Sequence, residues 1–145
     1  MILISHRGNL NGPQPENENK PEYVEIALKN FNVEIDVFFY KKEFWLGHDK
    51  PEYKINNLNW LKNNKLWVHA KNLEALNALL EHPSIHSFWH QNDDVTLTSR
   101  GYMWTYPNKK LFNKSIAVIN KKNNKENILK CSGICSDYIR SYYIK

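Results

Sequence analysis

Five side chains suited to polar chemistry, His6, Arg7, Glu34, Asp36 and His48, fall at the ends of apolar runs within the first fifty residues. In Ile2-Leu-Ile-Ser-His-Arg-Gly8 an apolar run meets His-Arg-Gly, the pattern of a buried strand leaving through a turn, with Gly8 relieving the sterics of a sharp exit. In Val33-Glu34-Ile35-Asp36-Val37 the strand period of two sends Glu34 and Asp36 to one face and Ile35 to the other. Neighbouring carboxylates repel unless a cation or a shared proton relieves them, so this pair points to a divalent metal site. Gly47-His48-Asp49 then adds a second histidine. Taken singly, His-Arg-Gly is ordinary turn chemistry and Glu-x-Asp an ordinary exposed strand face.

The elements that must position these groups are legible in outline. Strands are expected over 2–5, 33–39 and 66–70, with Phe44-Trp-Leu-Gly47 pairing back across the Lys41-Lys42-Glu43 turn. Lys20-Pro21-Glu22-Tyr23 opens a helix to about Asn30, with Pro in its first turn and Tyr23, Ile26 and Ala27 on one side. A short helical segment is expected over 56–63. A second full helix is expected over 72–81, capped by Asn72, with Leu73, Leu76, Leu79 and Leu80 as its apolar stripe. Further strands are expected over 86–90, 95–98, 101–106, 115–119 and 133–137, and a Lys- and Asn-rich loop over 120–130. Without the hairpin arm this makes up to eight strands and two convincing helices, in one domain spanning 1–145 with no internal repeat.

The chain has 145 residues, 41% hydrophobic and 24% charged, ordinary values for a soluble globular domain. A net charge of +5 favours anionic partners, a phosphate ester among them, without singling out nucleic acid. No run approaches the roughly 18 apolar residues of a membrane span. His6 follows the start too soon for a signal peptide, so a cytoplasmic location is expected. Cys131 and Cys135 are then expected as free thiols.

Taken in order, these motifs resemble the glycerophosphodiester phosphodiesterase family, part of the phosphatidylinositol-phospholipase-C-like phosphodiesterase superfamily. The family shows His-Arg-Gly after the first strand, then Glu-Asn, Glu-x-Asp on the second strand and His-Asp after a hairpin. This chain has His6-Arg7-Gly8, Glu16-Asn17, Glu34-Ile35-Asp36 and His48-Asp49. A later Glu-x-Lys resembles His69-Ala70-Lys71, with histidine in place of glutamate. The closing Gly-Ile-x-x-Asp-x-Pro resembles Gly133-Ile-Cys-Ser-Asp137-Tyr-Ile139, with isoleucine in place of proline.

The resemblance implies an α/β fold of TIM type, and such a barrel typically takes about 250 residues. The expectation is therefore a minimal or incomplete barrel lacking several outer helices, whose uncovered flank makes a homo-oligomer plausible. It further implies metal-dependent hydrolysis of a small-molecule phosphodiester, with His6 and His48 as general acid and base. Arg7 and Lys71 would hold the phosphate; Glu34, Asp36 and His69 would hold the metal. Hard oxygen ligands suit Mg²⁺ or Ca²⁺, and His69 would tilt the site toward Mn²⁺ or Zn²⁺. Glu16 is expected to orient Arg7 or the metal shell, and His90 and Trp104 to support the site. In the Tyr102–Tyr106 stretch, packing competes with substrate contact as the role of Trp104. Histidine at 69 and the short chain also motivate an alternative, a non-catalytic domain that binds phosphate esters or sugars.

Overall fold

Alternation along the central strands decides which side chains reach the site and which build the core. The computed structural model describes residues 1–120 and 130–143; the expected 120–130 loop thus falls, from 121 to 129, outside the described residues. The elements run β1 (Ile2–His6), α1 (Pro21–Leu28), β2 (Asn32–Tyr40), β3 (Glu43–Leu46), β4 (Tyr53–Lys54), α2 (Leu58–Leu61) and β5 (Leu66–Ala70). There follow α3 (Leu73–Leu80), β6 (Ser87–Trp89), β7 (Val95–Leu97), β8 (Met103–Thr105), β9 (Ser115–Ile119), β10 (Gly133–Ser136) and a 3₁₀ turn (Ile139–Tyr142).

Seven strands pair in parallel in the order β6-β5-β2-β1-β10-β9-β8, and β7 adds antiparallel to β8. The second half of β2 instead carries the antiparallel β3–β4 extension. Lys41 and Lys42, both at positive φ, close that hairpin with the twist-matching turn usually given to Asn-Gly. The sheet curls until β6 meets β7 and the segment just beyond it. There Ser99 N–H donates to the Ser87 carbonyl at 2.8 Å, and Thr96 Oγ1 donates to the Trp89 carbonyl at 2.7 Å. The result is a mixed α/β fold: a curled, half-barrel sheet with few helices.

On β2, Val33, Ile35 and Val37 are fully buried against Val24, Ala27 and Leu28 of α1 and Ala75 and Leu79 of α3. Burying each such side chain contributes roughly 1.5–3 kcal/mol. The alternate residues Glu34 and Asp36 face the concave side, where Ile4, Trp67, Phe88, Trp104, Ile116 and Cys135 form a second apolar cluster. A third cluster backs β9 and β10 with Phe31 and Ile139. No helix among the described residues is long and apolar enough to cross a membrane.

The helices form where expected, with different buried stripes. In α1 the buried set is Val24, Ala27 and Leu28, and Ile26 is 52% exposed. In α3 Leu73 and Leu80 are about two-thirds exposed, because residues 72, 75, 76 and 79 share the face that meets the sheet. Asn72 caps α3: its Oδ1 accepts from Ala75 N–H at 3.0 Å and from Phe39 N–H at 3.0 Å, and its Nδ2 donates to the Phe39 carbonyl. One side chain thus closes the helix start and ties it to β2. Asn72→Ala is expected to lower stability by about 2–3 kcal/mol, a lost cap plus an unpaired strand end, as measured by chemical unfolding.

Candidate active site

Strand register brings the polar groups together. β1–β2 pairing sets His6 beside Glu34, and β2–β5 pairing sets Asp36 beside His69. All four lie toward the C-terminal ends of parallel strands. Glu34 is 2% exposed and Asp36 fully buried. His69 Nδ1 lies 3.1 Å from Asp36 Oδ1 and 3.6 Å from Glu34 Oε1, while its Nε2 stands 3.0 Å from the His90 carbonyl.

That last contact fixes the ring. A carbonyl only accepts, so Nε2 carries a proton, and a neutral His69 would then aim its Nδ1 lone pair at two carboxylate oxygens. Three electron-rich atoms at such distances require a cation between them. With a proton in that role, burial works against charge on His69, but its bonds to Asp36 and Glu34 outweigh it and push the pKa up to about 9. Burial opposes ionisation of Asp36 as well, yet His69, Arg7 and Lys71 hold its carboxyl well below the usual range.

A divalent ion fits the same place. Ligand atoms of Glu34, Asp36 and His69 all lie within 4.8 Å of one another, close enough to share one ion. Glu34 Oε2 and Asp36 Oδ1 are buried, and among the described residues no group donates a well-directed hydrogen bond to either. A ligating histidine usually donates its second N–H to a carbonyl or carboxylate, as His69 does to His90.

The turn after β1 wraps this cluster. Arg7 (φ +54°) and Gly8 (φ +92°) reverse the chain in the left-handed region, and a Cβ on Gly8 would stand 2.6 Å from the Tyr23 ring. Arg7 Nε lies 2.8 Å from Asp36 Oδ2, and its NH1 donates to Glu18 Oε2 at 3.0 Å. Glu18 Oε1 accepts from Asn9, and Asn19 pairs with Asp36 through both its backbone N–H and its carboxylate. The partner expected of Glu16 therefore belongs to Glu18; Glu16 is exposed and, among the described residues, bonds the adjacent Asn17 alone, at 3.5 Å. Glu-Asn occurs twice in tandem, at 16–17 and 18–19, and the second copy meets Arg7 and Asp36.

His6 Nδ1 lies 2.8 Å from Asp137 Oδ1, which also accepts from Asn9 Nδ2 at 2.8 Å. Its Nε2 is 3.8 Å from Glu34 Oε2. Burial would lower the His6 pKa, but the Asp137 bond and the Glu34 charge leave it raised. The Asp137 carboxyl is lowered in turn, the His6 bond overcoming its burial. Asp137 sits just past β10, as His6 ends β1 next to it.

A cavity of about 280 Å³ opens on these groups, lined on one side by His6, Arg7, Glu34, His69 and Lys71. His48 stands at its rim, with its side chain 40% exposed and Nδ1 2.7 Å from Asp49. Its loop is tied to the middle of β2 by Gly47 N–H donating to the Asp36 carbonyl. Lys71 Nζ reaches within 3.6 Å of Asp36. Trp104 both packs on Phe88, at 4.6 Å between ring centres, and lines the cavity. His90 is 5% exposed and stacks at 4.0 Å on Tyr106. Every site residue expected from the sequence thus borders this cavity or its carboxylate floor, except Glu16. Glu18, Asn9, Asn19 and Asp137 join the network.

Compared with family models, curated proteins and solved structures, the chain matches none.

Proposed function

We propose that the chain is a metal-dependent phosphoric diester hydrolase of the glycerophosphodiester phosphodiesterase kind, built on a shortened TIM-type barrel. The observation that carries this reading is His69: its Nδ1 faces Glu34 and Asp36 across a gap that demands a cation, beside Arg7, Lys71 and His6 at the mouth of one cavity. Placement at the C-terminal ends of parallel strands, where barrel enzymes keep their chemistry, supports it. So does the order of five motifs along the chain.

Glu34, Asp36 and His69 would hold the ion. Once bound, it would neutralise charge building on the phosphoryl oxygens. Arg7 has five N–H donors and two carboxylate partners, so it keeps donors for a phosphate oxygen while Glu18 and Asp36 fix its plane. Lys71 adds a point charge at the same mouth. His6 and His48 flank the phosphoryl position as the acid–base pair. Asp137 fixes the His6 ring through Nδ1, so Nε2 is the atom that exchanges a proton with substrate. With a vicinal hydroxyl as nucleophile, one histidine takes its proton while the other protonates the leaving oxygen. The roles reverse when water opens the cyclic phosphate.

The test is hydrolysis of glycerophosphodiesters by the purified chain with Mg²⁺, Ca²⁺, Mn²⁺ or Zn²⁺, following release of the alcohol. Turnover with at least one ion, abolished by chelation, is expected. Binding of the diester without turnover under every ion would instead favour a non-catalytic phosphate-ester binder.

A further inference from the structure

The part of the cavity lining beyond His69 is made differently. Trp89 ends β6 with His90 and Gln91 following it, and Trp104 and Tyr106 come from β8 and its end. His90 is 95% buried, its ring lies on Tyr106, and neither ring nitrogen has a hydrogen-bond partner among the described residues. Asp93 stands 4.0 Å from Nδ1 with its side chain 61% exposed. A neutral imidazole offers one donor and one acceptor. Left unmatched in a buried site, both are costly, so the wall asks for a ligand that donates and accepts at adjacent atoms.

An alcohol hydroxyl does both. A phosphate oxygen only accepts, and a trimethylammonium group does neither. Among the described residues Glu34 is the one carboxylate lining the cavity, and it belongs to the candidate metal cluster; Arg7 and Lys71 line the same space. A cationic headgroup would therefore meet the like charges of Arg7 and Lys71 and leave His90 unmatched. The aromatic faces of Trp104 and Tyr106 suit the C–H face of a ring or polyol.

We infer that His90 is a specificity-determining residue that hydrogen-bonds hydroxyls of the alcohol moiety, so that the preferred ligands are phosphodiesters of a polyol or sugar and not of choline. This rests on the phosphodiesterase reading for the phosphate's place, but its test reads binding as well as turnover. Calorimetric titration of the His6→Ala chain with a divalent ion present, which suppresses consumption of ligand, compares glycerophosphoinositol with glycerophosphocholine. The inositol diester is expected to bind at least about tenfold tighter, because the two ligands share glycerol and only the inositol headgroup brings hydroxyls to His90.

In the same background His90→Phe keeps the ring on Tyr106 but offers no polar atom, and should bring the two affinities within about twofold. His90→Gln restores a donor and an acceptor and should recover part of the preference. Equal or tighter binding of the choline diester, no binding of either, or an unchanged ratio in His90→Phe would overturn the inference. The wild-type chain is assayed in parallel on glycerol 1-(p-nitrophenyl phosphate), which keeps the vicinal hydroxyl and carries neither headgroup. Turnover there beside a failed headgroup preference removes only the role of His90, whereas no turnover of any diester removes the phosphodiesterase reading.

Discussion

His6→Ala is expected to lower turnover of a glycerophosphodiester by about 10²–10⁴-fold, the usual contribution of a general acid or base. The fold should survive. His6 is the last residue of β1, and its ring contacts Asp137 and Glu34 across the cavity without entering an apolar cluster. Circular dichroism and thermal unfolding should therefore stay close to wild type while kcat falls. Asp137→Asn separates positioning from charge. An asparagine oxygen still accepts from Nδ1–H, so the ring stays aimed, but the negative charge that raises the His6 pKa is gone. The expected result is a smaller loss of kcat and a displacement of the His6 limb of the pH–rate profile toward lower pH. An unshifted profile with full activity would remove Asp137 from the mechanism. Retained activity in His6→Ala would remove His6 itself.

Most of this cluster was visible in the sequence because each group sits on a strand whose period is unambiguous. Val33 to Val37 alternates strictly, so Glu34 and Asp36 had to share a face, and His69 and Lys71 follow the same rule on the neighbouring strand. Loops obey no such period. Glu16 and Glu18 lie in the same polar segment with the same following residue, and nothing local separates them. The choice is made by the Arg7–Gly8 reversal, which brings the Arg7 carbonyl onto Asn19 N–H at 3.1 Å and with it Glu18 onto the guanidinium. The role of Asp137 is illegible for the same reason, since a carboxylate at a strand end also suits a turn. Its place becomes clear only from the parallel pairing of β1 with β10, a contact between residues 131 apart in sequence. The helical stripes misled by about one position, because a leucine-rich octamer such as 73–80 has apolar residues on more than one side. There the sheet, not the helix, selects the face.

Binding of a divalent ion is expected to release a proton from His69 and so to strengthen with pH up to about 9, well beyond the range of an ordinary histidine. The ion and the Nδ1 proton compete for the same position between Asp36 and Glu34, so apparent affinity should rise about tenfold per pH unit below that value and level off above it. Stability without metal should follow the opposite course. A folded-state pKa of about 9 against an ordinary 6.5 means that the His69 imidazolium contributes fully below pH 6.5 and that its contribution fades as pH rises through 9. The metal-free chain should lose on the order of 5–10 °C in Tm across that interval, and a bound ion should restore it. The lowered Asp36 carboxyl acts only on acidification, outside this window.

His69→Glu distinguishes a ligand from a bystander. It replaces the internal cation by a third carboxylate beside Glu34 and Asp36, so the metal-free protein should be less stable at pH 7 and should gain more Tm from Mg²⁺ or Ca²⁺ than wild type does. Any preference for Mn²⁺ or Zn²⁺ should shrink, since the nitrogen donor is gone. The pH dependence between 6.5 and 9 should disappear with the group that caused it. Calorimetric titrations of both proteins at three pH values decide the matter. The same affinity, selectivity and pH slope in the two would place the ion, if any binds, away from His69.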